Sequence, residues 1–306
     1  FRAGPDLPFS QPAMTALQIW LLAIRPRTLS ISLVPVMVGS ALAWAETELF
    51  AWLTLLATLV GALLIQIGTN LHNDAADFER GADTAQRLGP RRVSAEGWLQ
   101  PGQVRRAAHL SFTGAFLTGL YLVWLGGWPI ALLGLLSLAA AYAYTGGPRP
   151  VAYTPLGELF VFVFFGLVAV SGSFYLQTHQ WSWNALLLGA AVGLPAAAVL
   201  LINNYRDLDT DRHAGKHTLA VVLGRPAIRY LYAALLLLAP VTTLPLLTQD
   251  LGGVILVLPW LSLVAAFFLI RRLWYTRIDK RLNRLLAQTA QWQLLFGTLL
   301  SMALTL

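Results

Sequence analysis

The feature that most constrains this chain is its division into apolar blocks, each about as long as a bilayer is thick. Stretches such as 50–73 and 184–204 contain no charged residue, and roughly 20 apolar residues in helical form cross the hydrocarbon core. Hydrophobic residues make up 57% of the 306 and charged ones 11%, against about 25% charged in an ordinary soluble domain. That balance excludes a disordered chain and leaves too little polar side chain to coat a soluble globule. The sequence therefore predicts an all-α integral membrane protein.

The expected spans are nine: 28–45, 50–73, 107–125, 128–145, 157–176, 184–204, 230–247, 253–270 and 285–305. Charge placement tests the division. All 21 lysines and arginines fall before the first span or in alternate loops, including six arginines between spans two and three. The intervening loops, near 46–49, 126–127, 177–183 and 248–252, have none. The positive-inside rule then puts the N-terminus inside, the C-terminus outside and the span count at an odd number. Residues 1–13 hold three prolines and read as a loose tail, with Met14 a possible native start. Residues 14–306 read as one nine-helix domain, and 15–24 as an interfacial piece too short to span. With no cysteine, disulfides, thiolate metal sites and a cysteine nucleophile are excluded. The net charge of +7 belongs to the loops on one membrane side. No basic run alternates with aromatics, so nucleic acid is not an expected partner.

Two inside segments hold most of the acid. Asn70-Leu-His-Asn73-Asp74-Ala-Ala-Asp77 leaves span two, and on a helix Asn70, Asn73, Asp74 and Asp77 share a face. Asn203-Asn204-Tyr205-Arg206-Asp207-Leu-Asp209-Thr-Asp211 leaves span six; Asn203, Asp207 and Asp211 line one face and Asp209 points elsewhere. One Asp-rich turn reads as a solvated loop. Two, each following a span that ends in Asn, on one side and four spans apart, suggest a duplicated unit with a task, because polar groups at the membrane are costly. Oxygen donors without cysteine suit Mg²⁺, which takes one or two carboxylates and fills its shell with water and phosphate. Two such sites would grip a diphosphate, with Lys216, Arg206, Arg87 and Arg91 neutralising the rest. A diphosphate at the mouth of an apolar cavity implies an isoprenoid tail. Gly215-Lys216-His217-Thr218 is not a P-loop, since position 210 is Thr and a membrane helix precedes it. The five histidines show no metal-ligand spacing.

Asn73-Asp74-x-x-Asp77 and Asn203-x-x-x-Asp207-x-x-x-Asp211 resemble the two aspartate-rich motifs of the UbiA superfamily of intramembrane prenyltransferases. Ile24-Arg25-Pro26-Arg27-Thr28-Leu29, Arg87-Leu-Gly89-Pro90-Arg91, Tyr144-Thr145-Gly146, Leu156-Gly157-Glu158 and Gly215-Lys216-x-Thr218 are similar to the branch that prenylates 1,4-dihydroxy-2-naphthoate in menaquinone synthesis. The resemblance runs from about residue 15 onward. Many members carry a third acid four residues after the Asp77 position; here Gly81 stands there and Asp83 follows, a shift the naphthoate branch shares.

The resemblance implies a UbiA-like bundle around a central cavity, and Mg²⁺-dependent transfer from a polyprenyl diphosphate to 1,4-dihydroxy-2-naphthoate with loss of CO₂, giving demethylmenaquinol. Asn70, Asp74 and Asp77 would hold one ion, with Asp83 a weaker ligand. Asn203, Asp207 and Asp211 would hold the other. Lys216 would meet the departing diphosphate. Arg25, Arg27 or Arg149 would take the acceptor carboxylate. Tyr144, Tyr153, Phe160, Phe162, Phe164 and Phe165 are candidates to face the allylic cation. No residue stands out as a general base. The expected setting is a multi-pass protein among the lipids of the inner (plasma) membrane, with the active site cytoplasmic. The competing readings are another aromatic acceptor, such as 4-hydroxybenzoate or homogentisate, and a secondary transporter; against the latter, the acids cluster at span ends rather than mid-span.

Overall fold

A computed structural model describes residues 14–82, 87–249 and 253–306; the tail 1–13 and Asp83 lie outside them. Every regular element among the described residues is helical. Helix α1 (Ala16–Ile24) opens with a reciprocal cap: the Gln18 amide N–H donates to Thr15 Oγ1 and the Thr15 amide N–H to Gln18 Oε1. Its Leu17, Leu21 and Leu22 are exposed. After a left-handed residue at Arg25 come α2 (Ser30–Thr47), α3 (Trp52–Glu79) and α4 (Pro101–Thr145). Then follow α5 (Gly157–Phe162), a π-helical turn (Val163–Val168), α6 (Ala169–Thr178), α7 (Trp183–His213), α8 (Leu219–Val241), α9 (Ser262–Tyr275) and α10 (Leu282–Thr305).

Seven helices among the described residues are long and apolar enough to cross a membrane. One of them, α4, has 45 residues and would measure about 68 Å if straight, against a core of roughly 30 Å. Gly127, at φ 71° and ψ −157°, breaks it into two legs, a backbone conformation open to glycine and closed to most other residues. Helix α10 is long enough but less apolar, diluted by Gln288, Gln291 and Gln293. The aspartate motifs are not loops. They continue α3 and α7, whose 28 and 31 residues run about 42 and 46 Å and so project beyond the hydrocarbon.

Helix α7 is the hub, packed against α2, α5, the π turn, α6, α8 and α10. The main core joins α2, α6, α7, α8 and α10 through side chains such as Val34, Phe174, Leu188, Tyr232 and Phe296. On the other side α3 packs along α4. A cavity of about 510 Å³ separates the two groups. The α7 seam depends on bare backbone: a Cβ on Gly166 would overlap the Gly189 carbonyl and lie 2.7 Å from Gly193 Cα. Gly166→Ala is therefore expected to push the π turn off α7 and cost about 1–3 kcal/mol, read as a lower melting temperature in detergent; an unchanged melting point would show that the seam absorbs the methyl group.

Candidate active site at the polar end of the cavity

The ends of α3 and α7 bring both motifs to one mouth of the cavity. Asn70, Asn73 and Asp77 line it from α3, and Asn203, Asn204, Asp207 and Asp211 from α7. Both helices carry the spacing Asn-x-x-x-Asp, Asn73 with Asp77 and Asn203 with Asp207. Four residues make just over one helical turn, so each pair stacks on one face.

Asp77 is 4% exposed and held from three directions. Arg92 Nη2 lies 2.9 Å from Oδ2, while Tyr153 Oη donates to Oδ1 at 3.2 Å and Lys216 Nζ at 3.4 Å. The Lys216 ammonium also sits 4.6 Å from the Tyr153 ring centroid. Arg25 joins this cluster from the α1–α2 turn. Its φ of 58° is left-handed, a costly conformation for a non-glycine residue. The turn is pinned by Asn70 Nδ2, which donates to the Ile24 carbonyl at 2.8 Å, and by Thr28 Oγ1, which donates to the Arg25 carbonyl at 3.1 Å. Burial, reinforced by repulsion from Arg92 and Arg87, brings the Arg25 pKa down to about 9, so the guanidinium is still charged at neutral pH. Arg25, Arg87, Arg92 and Lys216 all line the cavity, and a mouth so rich in cations suits an anion.

Two amides are oriented from behind. Thr145 Oγ1 donates to Asn73 Oδ1 at 2.5 Å and itself meets His72 Nδ1 at 3.1 Å. Asn204 Nδ2 donates to Glu158 Oε1 at 2.9 Å, which leaves the Asn204 oxygen free of that bond. Asn73, Arg92 and Asn204 were not singled out from the sequence as site residues. The repeated Asn-x-x-x-Asp spacing was the available signal for Asn73; no local signal marks Arg92 or Asn204.

Several expected site residues stand elsewhere. The Asp74 carboxylate does not line the cavity: its oxygens accept the amide N–H groups of Val93 at 3.1 Å and Ser94 at 3.0 Å, so it shapes the turn after the first motif. Arg206 is 1% exposed and also off the cavity wall. Its Nε and Nη2 donate to the Asp207 carboxylate at 2.8 and 2.5 Å, Nη2 to Asn203 Oδ1 at 2.8 Å and Nη1 to Asn283 Oδ1 at 2.7 Å. Arg91 is exposed, paired with Glu96 at 3.8 Å; Arg27 and Arg149 are exposed and away from the wall. Tyr153 holds Asp77 instead of lining the lumen, whereas Tyr144, Phe160, Phe164 and Phe165 do line it. Phe162 packs toward Gly193 of α7.

A polar, cation-rich mouth leads into a cavity walled by Ile65, Leu120, Leu138 and Val168. This is the architecture of a membrane-embedded enzyme for a substrate with an anionic head and an apolar tail. Residues 32–297 match the UbiA prenyltransferase family, and the chain belongs to that family. It is 34% identical over 288 residues to the 1,4-dihydroxy-2-naphthoate octaprenyltransferase of Bacillus subtilis, covering 94% of this chain and 91% of that one. With the enzyme of the same description from Mycobacterium tuberculosis it shares 41% over 257 residues, 83% and 84% of the two chains. A UbiA homolog from Archaeoglobus fulgidus, solved bound to GPP and Mg²⁺, superposes with a TM-score of 0.69 at 14% identity, over 94% of this chain and 100% of that one. With seven long apolar helices among the described residues, the chain is a multi-pass membrane protein.

The geometry separates the acids. Asp77→Ala and Asp211→Ala, both on the cavity wall, are expected to lower turnover at least about 100-fold. Asp209→Ala should change it little, because Asp209 is exposed and bound to Arg225 at 2.9 Å. Asp74→Ala should act on folding, lowering the melting temperature by removing the acceptor for Val93 and Ser94. Equal loss of turnover at Asp209 and Asp211 in folded protein would contradict the assignment.

Proposed function

We propose that this protein transfers a polyprenyl group from a polyprenyl diphosphate to 1,4-dihydroxy-2-naphthoate, with loss of CO₂, to give demethylmenaquinol in menaquinone biosynthesis. The observation that carries the reading is the pair of Asn-x-x-x-Asp faces opposed at the cationic mouth of an apolar cavity. Relatives that are 1,4-dihydroxy-2-naphthoate octaprenyltransferases at 34–41% identity support the acceptor.

The donors at the mouth fit a hard divalent cation: they are carboxylate and amide oxygens, with no sulfur. Mg²⁺ needs only one or two carboxylates of the protein and fills the rest of its shell with water and substrate phosphate. Asn73 and Asp77 would hold one ion, in place of the expected Asn70 and Asp74, which bind the Ile24 carbonyl and the Val93 and Ser94 amides, and Asn203, Asp207 and Asp211 a second. Bound there, the metal would neutralise the diphosphate and stabilise it as a leaving group. Lys216, Arg87 and Arg92 meet the remaining phosphate charge. Tyr144 and Phe160, whose rings lie 6.0 Å apart, offer aromatic faces to the allylic carbon as its bond to the diphosphate oxygen breaks. Arg25 takes the acceptor carboxylate. The ring carbon bearing that carboxylate bonds to the allylic carbon, and the electrons of the C–CO₂ bond restore aromaticity as CO₂ departs. Carbon dioxide leaves where a proton would otherwise be lost, so that carbon needs no general base.

Purified protein with Mg²⁺ is expected to release one labelled CO₂ per turnover from carboxyl-labelled dihydroxynaphthoate and to use 4-hydroxybenzoate poorly, in line with the acceptor of its relatives. Prenylated product that keeps its carboxylate, seen by mass, would move the protein to another acceptor class.

We further propose nine spans for residues 14–306, with the two legs of α4 and the polar α10 each counted, and the motif end of the bundle cytoplasmic at the inner (plasma) membrane. The one-sided arginines support this. A reporter fused after Leu306 should then report the outside and one near Arg277 the inside; the same side for both would refute the topology.

A further inference from the structure

Glu158 is a buried acid that the mechanism above leaves without a task. It stands in the first turn of α5 at 5% exposure, on a helix that packs against α7. Asp77 and Asp207 are each paired with a cation. Glu158 is met instead by a neutral amide: Asn204 Nδ2 donates to its Oε1 at 2.9 Å, and its Oε2 is buried with no hydrogen-bond partner. A carboxyl group half unsatisfied in apolar surroundings is costly. The contact that keeps it there reaches a residue of the cavity wall.

That contact fixes the Asn204 amide. A carboxylate oxygen accepts and does not donate, so the NH₂ end faces Glu158 and the carbonyl oxygen faces away. Asn204 itself lines the cavity, and among the described residues its oxygen accepts no hydrogen bond. The neighbouring Asn203 differs, since its Oδ1 accepts from Arg206 at 2.8 Å. Asn204 also lies close to the aromatic wall. A Cβ on Gly157, the residue before Glu158, would be 3.4 Å from Leu200 of α7, one turn before Asn204, and 3.7 Å from the Tyr144 hydroxyl. Tyr144 and Phe160 flank the allylic carbon in the reading above, and the ring that attacks this carbon must lie against it.

Dihydroxynaphthoate carries a donor for the Asn204 oxygen. Its 1-hydroxyl is adjacent to the carboxylate and closes an internal hydrogen bond with it. The 4-hydroxyl, across the ring, has no internal partner, and burying it without one is unfavourable. We propose that Glu158 is a positioning residue that holds the Asn204 oxygen toward the lumen, where it accepts a hydrogen bond from the 4-hydroxyl of the acceptor. Arg25 then holds one end of the ring from the α1–α2 turn and Asn204 the other from α7. The proposal rests on the reading of dihydroxynaphthoate as acceptor given above.

The test uses purified protein with octaprenyl diphosphate, dihydroxynaphthoate and, as an inhibitor, 1-hydroxy-2-naphthoate, which lacks the 4-hydroxyl. Glu158→Gln puts an amide where the carboxylate was, so Asn204 can turn either end toward it. Both Glu158→Gln and Asn204→Ala should raise the dihydroxynaphthoate KM about three- to tenfold, with the octaprenyl diphosphate KM and the inhibition constant of 1-hydroxy-2-naphthoate unchanged. The double variant should be no worse than Asn204→Ala alone, because Glu158 acts through Asn204. Glu158→Asp, which keeps the charge but is one methylene too short to reach Asn204, is expected to give the same pattern and replaces Glu158→Gln should that variant not purify. A merely structural role would move both substrates and the inhibitor together. That result, an unchanged dihydroxynaphthoate KM, or effects that add in the double variant overturns the proposal. A wild type that fails to prenylate dihydroxynaphthoate overturns the prenyl-transfer reading instead.

Discussion

The mouth of the cavity depends on one buried ion pair. Arg206 grips Asp207 with two bonds while its remaining groups reach Asn203 on the same helix and Asn283 at the start of α10. Asn283 in turn donates to the Leu88 carbonyl at 2.9 Å, and Gly89 lies so close that a Cβ there would be 2.7 Å from Arg206 Nη2. One guanidinium thus ties α7, α10 and the segment after the first motif into a single frame. In such surroundings an unpartnered charge is far more costly than a paired one; breaking a buried pair costs about 3–5 kcal/mol. The same cost explains Asp77, whose buried carboxylate is held by Arg92, Lys216 and Tyr153.

That frame stands at the end of an unusual interior. On the α7 side, glycines let backbones touch, and the π turn is drawn against Gly189 and Gly193. On the other side α3 and α4 pack along each other, and a Cβ on Gly68 would fall 2.7 Å from the Phe112 ring. The chamber lies between these two packed groups, in a helical bundle that would otherwise fill its own core.

Much of the site was legible because it obeys helical periodicity. Asn203, Asp207 and Asp211 recur every four residues, and the structure places all three on the cavity wall. In the first motif the sequence draws attention to the acids Asp74 and Asp77, three apart, ahead of the neutral Asn73. The Asn-x-x-x-Asp spacing common to both segments favours Asn73. Asp74 differs by one residue, which turns it about 100° around the helix toward Val93 and Ser94. Arginines were harder to sort. Arg25, Arg87 and Arg92 face the lumen while Arg27, Arg91 and Arg149 do not, and nothing in the local pattern separates them.

The sequence by itself determined that the chain is a helical membrane protein, that its basic residues gather between apolar blocks, and that two amide-and-carboxylate faces follow apolar segments. Those properties follow from hydrophobicity, charge and the helical repeat, which are local. Only the tertiary structure decided which polar groups meet: that Arg206 clamps Asp207, Asn203 and Asn283, and that Arg92 and Tyr153 close on Asp77. Such relations join residues as far apart as Asp77 and Lys216, and they depend on how helices lean on one another, which no single helix's periodicity encodes.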